Sequence, residues 1–192
     1  MNLNKYFNQL KNMTMNTKSN NTLAQSEIAN TTPLSRSIYC DGSAPNNQGS
    51  CTKGGYGVVI YDHQQNVLEE YGKTVSDKKV TNVKMEMMAF ALGLHLSKAG
   101  DTIFSDSKMV VDSYNKWLDG WKKQGWKKSD KKTPENLDLW LVIDELKPQR
   151  KGVTVKHVKS HCGIVGNEHA DRLATNAAKG LEVESPLLEE EL

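Results

Sequence analysis

Residues 81–106, "TNVKMEMMAFALGLHLSKAGDTIFSD", decide how the chain is put together. From Thr81 to Gly100, good helix formers carry apolar residues on most faces, which predicts a largely buried helix stopped by Gly100. "DTIFSD" then predicts a strand ending in Asp106. Glu86 breaks the pattern. A carboxylate inside a run of Met, Ala and Phe is expensive unless something pairs with it.

On either side the chain alternates in the same way. Ser37 to Asp41 predicts a short strand followed by a Gly-Ser turn. Gly54 to Asp62 and Asn66 to Val75 predict two strands joined by the polar turn His63 to Gln65. "SKMVVDSYNKWLDGW" and "PENLDLWLVIDELK" read as helices, the second with Pro134 in its first turn. "GVTVKHVKS" is a final strand and "NEHADRLATNAAK" a final helix. This order predicts an α/β protein: a five-stranded mixed sheet with helices on both faces. Residues 37–180 would form that domain. Residues 1–36, rich in Asn, Thr and Ser, predict a disordered leader, within which "LNKYFNQLKNM" has the pattern of a short amphipathic helix. Residues 181–192 predict an acidic flexible tail.

With 192 residues, 37% of them hydrophobic, the chain is long enough for one domain with a real core. No apolar run approaches the roughly 18–20 residues a membrane helix needs, and no secretory segment opens the chain. Three scattered cysteines, Cys40, Cys51 and Cys162, form neither a disulfide framework nor a CxxC pair. These features predict a soluble, intracellular, cytoplasmic protein with free thiols.

The acids recur at strand ends. Asp41 and Asp106 each end a strand, and sites in open α/β sheets gather beyond such ends. Asp171 falls in the first turn of the last helix. Taken singly, Asp41 is a turn residue, Asp106 a helix N-cap and Asp171 a dipole-compensating acid. Glu86 has no such explanation. Four carboxylates brought together would repel one another unless a divalent cation joined them, and hard oxygen ligands suit Mg²⁺ or Mn²⁺. Pairs of such ions are the basis of two-metal phosphodiester chemistry.

Net charge is only +2, but it is unevenly spread. Trp117, Trp121, Trp126 and Trp140 share one window with Lys116, Lys122, Lys123, Lys127, Lys128, Lys131 and Lys132. The pattern fits either core tryptophans beside a solvated lysine face, or lysines for phosphates with aromatic faces for sugars and bases.

The segments "YCDGS", "TNVKMEMMAFALGL", "IFSDSKMVVD" and "VKSHCGIVGNEHADRLA" resemble the four signature blocks of type 1 ribonuclease H, in that family's order. The stretch around residues 116–133 resembles its basic helical protrusion. The resemblance spans roughly Ser37 to Lys179. It implies the ribonuclease H-like fold and an endonuclease that cuts the RNA strand of RNA/DNA hybrids with two Mg²⁺ ions, Mn²⁺ substituting, leaving 3′-OH and 5′-phosphate ends. It implies that Asp41, Glu86, Asp106 and Asp171 are the metal-binding catalytic acids. Asp41 would bridge the ions, Asp171 would serve the side that activates water, and Glu86 and Asp106 the side of the leaving 3′ oxygen, with Glu86 also reaching a ribose 2′-OH. A lone histidine is usually structural, but the family places one at His161 to aid water orientation, proton transfer or product release.

The resemblance further implies a DNA channel lined by Trp117, Trp121 and Ser129, and a DNA-phosphate site at Thr81 and Asn136 with Lys79 beside it. Asn47 and Asn82 would meet 2′-OH groups, and Lys122, Lys123, Lys127 and Lys128 would supply the protrusion's charge. Val83, Met109 and Lys79 depart from residues common in the family, and Lys cannot give the bidentate grip of Arg. A monomer is expected. The competing readings are a DNA-acting nuclease of the same superfamily and a non-catalytic hybrid-binding module.

Overall fold

The structure is a computed structural model in which residues 35–45 and 51–186 are described. Asn47 and nearly all of the leader lie outside these residues, as does the tail beyond Pro186.

Strands β1 (Ser37–Ser43), β2 (Lys53–Tyr61), β3 (Val67–Ser76), β4 (Thr102–Ser105), β5 (Thr154–His157) and β6 (Val183–Pro186) form one sheet in the order β5-β4-β1-β2-β3-β6. β1, β2 and β3 run antiparallel in sequence, while β1–β4 and β4–β5 are parallel. The five expected strands are all present. β6 is additional: it pairs antiparallel with β3 inside the stretch expected to be a tail. The acidic composition hid it, because an edge strand needs backbone partners on one side only.

Helix α1 (Asn82–Leu96) packs on one face of the sheet and is buried nearly all round, as its composition predicts. Thr81 caps it, its Oγ1 accepting from the Lys84 N–H at 3.2 Å. Helix α4 (Leu137–Leu146) covers the outer side of α1. Met85, Phe90, Leu92, Trp140 and Ile143 fill the space between sheet and helices. On the opposite face α5 (Val165–Ala178) crosses β1, β2 and β3, burying Ala170 and Leu173 against Val59 and Tyr61. β2 is therefore covered on both sides, and every residue from Gly54 to Tyr61 is buried.

Four local expectations change. β1 does not stop at Asp41. Gly42 and Ser43 stay in register with Tyr56 and Gly55, so no Gly-Ser turn forms there. The helix expected after Asp106 is split into α2 (Lys108–Asp112), a π-helical turn (Ser113–Trp117) and α3 (Leu118–Lys123). Contacts from elsewhere sustain the wide turn: Lys147 Nζ donates to the Tyr114 carbonyl, and Asn115 Nδ2 donates to the Val155 carbonyl on β5. α4 begins after Pro134, because Asn136 takes a left-handed conformation with φ 53°. α5 begins at Val165, so Asp171 lies about two turns in rather than in the first turn. Among the described residues no helix is long and apolar enough to cross a membrane.

Candidate active site

Parallel pairing of β1 and β4 sets Cys40 beside Ser105, so Asp41 and Asp106 follow at neighbouring places in the sheet. Glu86 reaches the same point from α1. A Cβ on Gly42 would lie 2.1 Å from the backbone nitrogen of Glu86. Only glycine lets the helix come this close to the strand. One carboxylate oxygen from each of Asp41, Glu86 and Asp106 lies within 4.8 Å of the other two. Asp171 lies outside that group but close enough for its charge to act on Asp41, and its Oδ1 accepts from Thr175 Oγ1 at 3.4 Å.

Burial, followed by the charge of Asp106, pushes the Asp41 carboxyl well above the usual range. Burial, followed by the charges of Asp41 and Asp106, pushes Glu86 up still further. Glu86 Oε2 is buried and has no hydrogen-bond partner. Three clustered carboxylates, one of them with a buried oxygen left unpartnered, have the donor set and electrostatic need of a hard divalent cation, so the residues fit one.

One residue that the sequence did not single out belongs here. Asn167, in the first turn of α5, is buried and donates from Nδ2 to Asp106 Oδ2 at 3.3 Å. Its signal was its place four residues before Asp171, one helical turn along the same face. His161 sits in the exposed loop after β5, in a left-handed conformation with φ 51°. Of the other histidines, His157 places Nε2 3.2 Å from the Asp106 carbonyl. His169 joins Tyr61 OH at 2.8 Å and Glu70 at 2.5 Å beneath α5.

The tryptophan-rich window divides between core and surface. Trp140 is 1% exposed and belongs to the core, with Trp121 edge-on to it at 5.5 Å between ring centroids. Trp117 is 44% exposed. Trp117, Trp121, Lys116, Lys128 and Ser129 line a groove of about 440 Å³. A second groove, of about 510 Å³, gathers Lys78, Lys79, Thr81, Lys84 and Asn136 with Asp77 and Glu135. Lys122 is paired with Asp144 at 2.8 Å, Lys127 Nζ donates to Thr133 Oγ1, and Lys123 is exposed. Asn82 Oδ1 accepts from the Ala44 N–H at 2.7 Å, tying the start of α1 to the chain just after β1. Val83 and Met109 are exposed.

The family model described as RNase H matches residues 33–179. The chain belongs to the ribonuclease H family. It is accordingly an enzyme, a ribonuclease H. A ribonuclease H of Lachnoclostridium phytofermentans is 42% identical over 149 residues, covering 74% of this chain and 91% of that protein. One of Cyanothece sp. is 36% identical over 151 residues, covering 77% and 91%. Among solved structures, LC9-RNase H1, a type 1 enzyme with the type 2 active-site motif, superposes with TM-score 0.63 at 24% identity, covering 82% of this chain and 80% of that one. The foamy viral protease-reverse transcriptase in complex with RNA/DNA hybrid gives TM-score 0.63 at 19% identity, covering 85% of this chain and 23% of that one. At these identities the structures establish the fold, and it is the ribonuclease H-like fold expected from the sequence.

Proposed function

We propose that this ribonuclease H hydrolyses the RNA strand of RNA/DNA hybrids with two Mg²⁺ ions, for which Mn²⁺ substitutes, leaving 3′-OH and 5′-phosphate ends. The observation that carries this reading is the cluster of Asp41, Glu86 and Asp106, two of them with raised proton affinity and one with an orphaned oxygen. Asp41, Glu86, Asp106 and Asp171 would hold the cations. When bound, these supply Lewis-acid activation of the attacking water and charge neutralisation at the leaving oxygen. The chain's own part is to hold these acids oriented around the scissile phosphate, where the charge of the cations would favour their ionised form. His161, exposed on a loop after β5, is suited to carry protons or help product leave.

The two grooves support a hybrid as the substrate. Trp117 and Trp121, their rings tilted 40° to each other with centroids 6.1 Å apart, offer ring faces to a DNA strand, and Lys116 and Lys128 beside them offer charge. Lys79, Thr81 and Asn136 offer donors to one of its phosphates. Asn82 spends its oxygen on Ala44 and keeps its amide hydrogens for a 2′-OH. Lys122, Lys123 and Lys127 would add to the attraction without specific contacts. Asn47 is proposed to contact RNA by the family resemblance alone. Free thiols at Cys40, Cys51 and Cys162 support a reducing, cytoplasmic setting, and we propose a monomer.

A labelled hybrid incubated with wild type and Asp41→Asn, with single-stranded RNA, double-stranded RNA and duplex DNA as controls, tests the reading. Hybrid-specific cleavage that the variant abolishes is the expected result. Cleavage by the variant at the wild-type rate, or equal cutting of duplex DNA, overturns it.

A further inference from the structure

Asn167 is 2% exposed, and its two polar atoms are treated unequally. Nδ2 donates to Asp106 Oδ2 at 3.3 Å, whereas Oδ1 is buried with no partner at all. Turning the amide over does not help, since it would set Oδ1 against the Asp106 carboxylate, acceptor facing acceptor. A buried acceptor left without a donor is costly, so it persists where a donor arrives with something else.

The surroundings hold this arrangement in place. Tyr39 on β1 stacks on Phe104 of β4, ring centroids 4.8 Å apart and planes 16° from parallel. Phe104 lies two residues before Asp106. On its other side Tyr39 meets Gly166, where a Cβ would fall 2.2 Å from the ring. The missing side chain lets the first turn of α5 press onto the sheet, which delivers Asn167 to Asp106. From the far side His157 Nε2 lies 3.2 Å from the Asp106 carbonyl, which can only accept, so His157 donates. Asp106 is thus held at its backbone by His157 and at its carboxylate by Asn167.

We propose that Asn167 is a positioning residue of the active site. Nδ2 fixes the orientation of Asp106, and Oδ1 receives a hydrogen bond from a water that enters with the cation. The inference rests on the cation reading of the acid cluster given above. Outer partners that orient a ligating carboxylate govern both affinity and turnover.

The experiment compares wild type, Asn167→Ala and Asn167→Asp by Mn²⁺ titration calorimetry and by kcat and KM on a hybrid. Asn167→Ala is expected to lower kcat by about 10–100-fold, leave KM within about twofold, and raise the Mn²⁺ midpoint by about threefold or more. Asn167→Asp keeps the shape, exchanges the donor for a fifth acid, and should move the midpoint about threefold or more the other way while kcat still falls. A purely structural asparagine would not split the midpoints in opposite directions. Midpoints that move together or not at all, or a folded Asn167→Ala with wild-type kcat, overturn the inference. If the alanine variant does not fold, the isosteric aspartate decides alone: an unchanged midpoint or unchanged kcat overturns it. Wild type that binds no Mn²⁺ overturns the cation reading and this inference with it, whereas wild-type binding with unaltered variants overturns only this inference.

Discussion

Glu86 and Asp41 hold their protons more tightly in the folded protein than in a free chain, because burial and neighbouring acids penalise their ionisation. A raised folded-state pKa means that, above the unfolded values of 4.5 and 3.8, unfolding releases protons. Stability of the metal-free protein therefore falls as pH rises from about 4 through the folded-state values. Glu86→Gln in EDTA should accordingly be more stable than wild type at pH 8, on the order of 1–3 kcal/mol, with the gap closing towards pH 4. Urea denaturation at several pH values measures this. The same substitution should cost hybrid cleavage about 100-fold or more, since a neutral amide is a poor ligand for a hard cation. Gly42 acts through space rather than charge. Gly42→Ala would drive a Cβ into the backbone of Glu86, which cannot step aside, and should cost about 3 kcal/mol in thermal or chemical unfolding. The sequence drew attention to Glu86 because a mid-helix acid among apolar residues has no local explanation. For Asn167 it offered only a place one helical turn before Asp171, and it takes the docked helix to bring that amide to Asp106.

The buried helix α1 was legible from its length and its run of helix-forming apolar residues, and the hairpin of β2 and β3 from two apolar, β-branched runs across a short polar turn. Asp62 closes that hairpin by accepting from the Gln64 and Asn66 N–H groups, as its turn chemistry implies. The π-helical turn and β6 were not legible. Both are set by distant partners, Lys147 and β5 in one case and the free edge of β3 in the other. Beyond the strand pairing, Glu182 accepts from the Thr74 N–H at 2.8 Å. Removing residues 181–192 should lower Tm by a few degrees, equivalent to roughly 1 kcal/mol, with kcat unchanged. Three strands, β3, β2 and β1, stand between β6 and the β1–β4 boundary where the acids meet. Calorimetry and a hybrid assay on the truncated chain check both halves of that expectation.

Across the whole molecule, a net charge of +2 conceals an acidic cluster and two grooves that carry lysines. Hybrid binding should weaken steeply with added salt, since lysines displace the cations condensed on the phosphates and added salt drives those cations back. Trp117→Ala should raise KM about tenfold and spare kcat, because a stacking face is lost while the acids stay in place. Steady-state kinetics at two ionic strengths separate these effects. The sequence by itself determined the alternation of strands and helices, the buried α1 and the four acids, since period and composition are local properties of the chain. Tertiary structure alone decided which acids meet, that Trp140 is core while Trp117 faces solvent, and that Asn167 turns its amide on Asp106. These depend on strand order and on how closely a helix can approach a sheet, and both are fixed by contacts between residues far apart in the chain.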